Sequence, residues 1–272
     1  MIPRNLIYFA FLIFLVIVLL EAVLIQQSRK SSFSWQESLT SLGIAIGHRI
    51  SNTIFAVIPA TASALIWQHR ILTIPLDQWW AILLLFLGIE FCYYWYHRAA
   101  HEIRWLWATH AVHHSARHLN LSAAYRLGWT GWLSGNFLFF LPLCWLGFHP
   151  ITVTLGLAVN LTYQFWVHTE LIPKLGWVEG VFNTPSHHRV HHAANPEYID
   201  RNYGGVLIIF DRWFGTFTAE RSDLRPIYGL THPLRSYNPM TIVLYEWHRL
   251  FQDLSKARSW RDRCGVILGR PT

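Results

Sequence analysis

Charged residues are scarce in this chain. Asp, Glu, Lys and Arg make up 14% of its 272 residues, against roughly 25% in an ordinary soluble domain. So little charge cannot cover a water-facing globule. The deficit excludes a disordered chain and a coiled coil. It also excludes a nucleic-acid-binding module with its charge on a soluble fold. Acidic residues are the scarcer sign, 15 against 22 basic, which leaves a formal charge of +7. That excess suits basic loops lying on anionic lipid. Only 3 cysteines are present, too few for a disulfide framework. Cys92 and Cys144 sit inside apolar runs and read as small hydrophobes. No strand–GxGxxG–helix or CxxCH pattern occurs, so flavin, nicotinamide and haem-attachment signatures are missing. The HExxH zinc-protease motif is missing too. There is no internal repeat and no low-complexity stretch.

What is present is hydrophobic length, tryptophan and histidine. Hydrophobic residues form 53% of the chain, with 15 Trp and 16 His. The spacing predicts an all-α polytopic membrane protein with about five spans. The first runs from Leu6 to Ile25, broken only by Glu21, and is long enough to cross a bilayer. Gln26-Gln27-Ser28-Arg29-Lys30 follows it, so it reads as a retained anchor rather than a cleaved signal. The second covers Gly43 to Trp67, with Pro59 as an expected kink. The third starts after Pro75, with Asp77 as N-cap, and covers Gln78 to about Tyr96. Trp132 to Phe148 and Ile151 to Val167 form a hairpin across Gly147-Phe148-His149-Pro150. Residues 26–42, 97–132 and 169–272 together hold 19 of the 22 basic residues, which places those segments in the cytoplasm. The expected organisation is N-terminal spans and loops over 1–78, a catalytic core over 79–218 and a cytoplasmic tail over 219–272.

Three histidine clusters carry the chemistry. They are His97-Arg-Ala-Ala-His101, His110-Ala-Val-His113-His114 and His187-His188-Arg-Val-His191-His192. On a helix, residues three and four apart point the same way. His97 and His101 therefore share a face, as do His110, His113 and His114, and His188, His191 and His192. Thr184 is placed to cap the last helix, Pro185 to start it and Asn195-Pro196 to stop it. Each neutral imidazole offers one lone pair to a metal. Eight of them are too many for one zinc, which takes roughly four ligands. Facing helices can instead enclose two ions, and neutral nitrogen donors suit iron or copper. Two irons is the economical count. His168 and His187 are secondary candidates. His48, His69, His118, His149, His232 and His248 stand alone and are read as non-ligands.

HxxxH, HxxHH and HxxHH around a membrane hairpin resemble the fatty acid hydroxylase/sterol desaturase superfamily of integral membrane di-iron enzymes. The resemblance covers roughly Glu90 to Phe217. Several strings look most like its alkylglycerol monooxygenase branch and bacterial relatives. These are His110-Ala-Val-His-His-Ser115, Asn120-Leu-Ser122, Gln164-Phe-Trp-Val-His-Thr-Glu170, Asn183-Thr-Pro-Ser-His-His188, Tyr203-Gly-Gly-Val-Leu-Ile-Ile209 and Asp211-Arg-Trp-Phe-Gly-Thr-Phe217. The resemblance implies that His97, His101, His110, His113, His114, His188, His191 and His192 bind the di-iron centre. It makes Glu102 a candidate functional carboxylate, with an ion pair to Arg98 or Arg104 as the alternative. Glu90 stands where the superfamily often has Asp. It either accepts a ligand imidazole's N–H or is a buried polar group. Asp200-Arg-Asn-Tyr203 receives no assigned role. The chain lacks the additional C-terminal hydrophobic region of the animal enzyme, and Leu-Gly-Trp follows Arg126 where the branch has Gln-Ser. Substrate and tetrahydrobiopterin dependence therefore stay open.

The implied reaction inserts oxygen from O2 into a lipid C–H bond, or desaturates it, with an alkyl glycerol ether, a sterol or a fatty acyl lipid as substrate. Electrons come from a separate reductase or a diffusible donor. The clusters face the cytoplasm from a bacterial inner membrane or the endoplasmic reticulum. The competing class is a metal-binding or metal-transporting membrane protein, which would carry ionisable residues along a path through its spans.

Overall fold

Long apolar runs broken by proline and glycine dictate helices and their ends. The computed structural model describes residues 4–28, 33–232 and 234–271. Arg29 and Lys30, part of the retained-anchor argument, lie outside the described residues. In chain order the helices are α1 (Arg4–Ser28), α2 (Trp35–Phe55), α3 (Val57–Gln68), α4 (Trp79–Glu102), α5 (Arg104–His114) and α6 (Gly131–Ser134). Then follow α7 (Leu141–Leu146), α8 (Pro150–Phe165), α9 (Pro185–His191), α10 (Ile209–Phe214), α11 (Pro239–Lys256) and α12 (Trp260–Leu268). Among the described residues there is no named strand, only two isolated bridges, Phe182–Leu207 and Ala193–Tyr228.

Among the described residues, α4 alone is a single helix long and apolar enough to cross a bilayer. α2 and α3 meet that test as a pair bent by 49°. Their break falls at Ala56, three residues before Pro59. A proline ring clashes with the carbonyl four residues earlier, here Phe55, the last residue of α2. The expected span from Trp132 to Phe148 is not one helix. Gly135 at φ +82° ends α6, a 3-10 turn covers Asn136–Phe140, and α7 follows. Residues Asn136–Leu146 form one short apolar element, well under the ~30 Å hydrocarbon layer. The hairpin turn forms as expected. Gly147 has φ +133°, and Pro150 opens α8 beneath a His149 side-chain cap. Gln78, not Asp77, is the N-cap of α4.

One core positions the site. Leu85, Ile89, Cys92 and Tyr93 of α4 pack against Leu143 and Cys144 of α7 and Val153 of α8. The other sides of these helices expose Trp79, Ile82, Ile151 and Val159, as a lipid-facing surface would. The 219–272 segment folds back onto the core: Ile242, Val243, Trp247 and Leu250 of α11 are buried, Val243 beside Val112 and Trp247 beside Ala108 of α5.

Two buried carboxylates tie the N-terminal helices to the rest. Glu21 of α1 accepts from the Leu121 amide at 2.7 Å and from Thr169 Oγ1 at 2.6 Å. Glu37 of α2 pairs with Arg126, which also donates to Ser41 and Ser115. Both partners of the Glu37–Arg126 pair are buried. Removing one leaves the other charge buried and alone, which costs about 3–5 kcal/mol. Glu37→Ala should therefore lower stability by that amount in denaturant unfolding of the detergent-solubilised protein. A change below about 0.5 kcal/mol, the ordinary range for surface substitutions, would contradict the packing described.

Candidate metal centre

Four stretches of chain bring nine imidazoles together. α4 ends with His97 and His101. A single extended residue, Ile103 (φ −114°, ψ 116°), breaks the helix and lets α5 turn back. α5 then presents His110, His113 and His114. His168 stands three residues beyond α8, and α9 carries His188 and His191, with His192 as its C-cap. Pro185 opens α9 as expected, but the helix stops at His191, four residues short of Asn195. Thr184 is the N-cap by position, yet its hydroxyl donates to Glu179 rather than capping the helix.

The imidazoles form two groups, not three. His97, His101, His110, His114 and His191 place one nitrogen each within 4.8 Å of one another, and His113, His168, His188 and His192 do the same. Each HxxHH motif is split between the groups. His110 and His114 lie one helical turn apart and join the first, while His113 turns to the second. α9 divides the opposite way, His191 to the first and His188 with His192 to the second.

The hydrogen bonds show what these rings are built to hold. Four rings donate Nδ1–H to backbone carbonyls: His97 to Tyr203 at 2.8 Å, His113 to Arg126 at 3.3 Å, His168 to Gln164 at 2.7 Å and His191 to Arg201 at 3.0 Å. A carbonyl cannot donate, so Nδ1 carries the proton and Nε2 of the neutral ring is a bare lone pair. The Nε2 atoms of His113 and His168 are nevertheless 3.1 Å apart. Two lone pairs at that distance repel unless a cation lies between or beside them. A proton on the rings is disfavoured. Burial first, then neighbouring imidazoles, holds His110, His113, His114, His188, His191 and His192 well below the usual histidine range. Burial brings His168 down to about 4. Nε2 of His101 and of His191 are buried without a protein partner. Neutral, desolvated, convergent nitrogens of this kind fit a metal ion in each group.

The segment Asp200–Tyr203, without a role in sequence, is the scaffold of the first group. Tyr203 and Arg201 supply carbonyls to His97 and His191, and Asp200 Oδ1 lies 3.5 Å from His101 Nδ1. Asp200 and Asn202 both adopt φ +59°, a left-handed conformation that Asp and Asn tolerate better than most residues. The Asn202 side chain donates to the His187 and Thr218 carbonyls and accepts from the Thr218 amide. Asp211 accepts from the Tyr203 and Gly204 amides, each at 2.7 Å. The next residue, Gly205, has no room for a side chain, since a Cβ would lie 2.4 Å from Asn160 Nδ2.

His168, a secondary candidate, is a full member of the second group. His187 belongs to neither: its Nε2 is 3.9 Å from Glu179 and its ring packs on Phe217. Glu102 also lies outside both groups and pairs with Arg98 at 3.1 Å and Arg270 at 3.7 Å, the alternative allowed for it. Glu90 does not accept from an imidazole. It accepts from Asn160 at 2.5 Å and from the Val206 and Leu207 amides at 2.9 Å, pinning the chain after Tyr203 to α4 and α8.

One concavity reaches the centre and a second lies along α4. A cavity of about 270 Å³ reaches His101, His114, His191 and His192 and is rimmed by Asp200 and Glu246. An apolar groove of about 450 Å³ lies between α4 and α7, lined by Gly88, Phe91, Trp95, Pro142 and Leu143 among others.

Alkylglycerol monooxygenase of Homo sapiens is 43% identical over 220 residues, 79% of this chain and 47% of that protein. The Danio rerio protein of the same name is 41% identical over 86% of this chain and 52% of its own length. Ornithine lipid hydroxylase OlsE of Rhizobium tropici is 35% identical over 52% of this chain and 44% of its own. The chain thus spans about half the length of the curated relatives it matches. No solved structure matches it. Residues 82–216, which contain all nine converging histidines, match the fatty acid hydroxylase family, and the chain belongs to that family.

Proposed function

We propose that the protein is a membrane-bound oxygenase that uses O2 to hydroxylate a C–H bond of a lipid at a pair of iron ions. The observation that supports this reading above others is the division of nine imidazoles, eight buried and His110 half-buried, into two groups whose ring nitrogens converge. The ligand set is His97, His101, His110, His114 and His191 for one ion and His113, His168, His188 and His192 for the other. Such a set exceeds what a single zinc takes, roughly four donors. Bound iron supplies the activation of O2.

The chain's own residues supply the rest. Carbonyls of Gln164, Arg126, Arg201 and Tyr203 fix which nitrogen of His168, His113, His191 and His97 is free and where it points. Burial of the rings excludes water, which limits side reactions. The apolar groove beside α4 takes an alkyl chain from the bilayer, and the cavity that reaches His101 and His191 admits electrons and protons from a separate donor. Residues 79–218 form the catalytic core, with its histidine clusters on the cytoplasmic side of the membrane. The names of the relatives point to lipids carrying long alkyl or acyl chains, and an alkyl glycerol ether is the favoured substrate. Hydroxylation beside its ether oxygen gives a hemiacetal, which separates into an aldehyde and an alcohol.

Protein purified after iron-replete expression should hold about two iron ions per chain, as a site between facing helices would. One tightly bound zinc and no iron would overturn the assignment. His168→Ala should abolish turnover and remove about one of the two ions while the protein stays in the membrane. Wild-type activity in that variant would refute the four-histidine group. Cells supplied with 18O-labelled O2, with and without the protein, should differ by a labelled lipid alcohol or aldehyde. An unchanged lipid profile would exclude oxygenation of lipid.

A further inference from the structure

The two histidine groups are not supported alike. The second group leans on carbonyls alone, those of Arg126 and Gln164. The first has a carboxylate. Among the described residues, Asp200 is the one acidic side chain paired within 4 Å of an imidazole in either group, at 3.5 Å from His101 Nδ1. Nε2 of the same ring is buried without a protein partner, and the ring is a member of the first group. A carboxylate on the far nitrogen fixes the ring's tautomer and orientation and makes the near nitrogen a stronger donor.

The backbone holds Asp200 there by a defined device. Asp200 and Asn202 take left-handed φ on either side of Arg201. The Asn202 amide closes onto His187 and Thr218. Beyond it, Asp211 holds the amides of Tyr203 and Gly204. The polar contacts from residues 200–203 to metal-facing rings, and the ring contacts of Tyr203, go to His101, His191 and His97, all members of the five-histidine group. None goes to the four-histidine group.

We propose that Asp200 is a positioning residue for the five-histidine site alone, so that the two metal sites differ in affinity and in electronic environment. The proposal rests on the di-metal reading given above. Asp200 stands at the rim of the polar cavity that reaches this site, so the stronger-donating His101 faces the side from which electrons arrive. The four-histidine site stands apart from this effect.

The test is metal release from the full-length protein in detergent, loaded with iron(II) and, in parallel, with cobalt(II) as a spectroscopic probe. Asp200→Asn keeps the side-chain shape and the tolerance of left-handed backbone and removes only the charge. It should release one of the two ions to a chelator about 10- to 100-fold faster than wild type, with the other leaving at the wild-type rate. One of the two Mössbauer signals of 57Fe should move, and the other should stay. Glu102→Gln, a neighbouring carboxylate that touches neither group, should release both ions as wild type does. A purely structural role for Asp200 would speed the loss of both ions together and leave the retained signals unshifted. That result would overturn the proposal, as would release from Asp200→Asn indistinguishable from wild type. A wild-type protein holding fewer than two ions would fail the di-metal reading itself and take the proposal with it.

Discussion

The structure depends on bringing unprotonated imidazole nitrogens together out of water. His113 and His168 each spend their one proton on a backbone carbonyl, which leaves two lone pairs 3.1 Å apart. Such a pair is unfavourable in a protein interior unless a cation neutralises it. Charging the rings is no remedy, because burial and the neighbouring rings disfavour the imidazolium. A cation held between the rings would relieve that repulsion. Binding free energy of this kind is also folding free energy, so the convergence of four separate stretches and the affinity of the centre are one quantity.

Much of the fold serves to hold those stretches against that repulsion. Glu90 fastens the chain after Tyr203 to α4 and α8. Glu21 binds α1 to the residues beside His168, and Glu37 grips Arg126, whose carbonyl orients His113. Each is a carboxylate inside an apolar helix, and each is satisfied by partners far away in sequence. Buried acids without such partners would be costly. Here they act as clasps between the hydrophobic helices and the histidine-bearing layer.

The sequence made the metal-binding character legible because HxxHH and HxxxH are spaced for a helical face, and eight of the nine converging rings lie in those motifs. It left the partition illegible. Ring direction within HxxHH depends on which neighbour each turn meets, so His113 parts from His110 and His114. His168 lacked a motif and stood only as a secondary candidate, and the turn after α8 places it beside His188, at 2.9 Å between ring nitrogens. The support from Arg126, Gln164, Arg201 and Tyr203 is carried by backbone oxygens, which leave no signature in residue type. Trp132–Phe148 is not one helix, for a local reason. Hydropathy registers apolar content, whereas Gly135 and the 3-10 turn after it cut the helix into short pieces.

The most direct measurement is anomalous diffraction at the iron absorption edge from crystals of the intact protein. The account predicts two peaks, one among His97, His101, His110, His114 and His191 and the other among His113, His168, His188 and His192. A single peak, or peaks away from these rings, would contradict it.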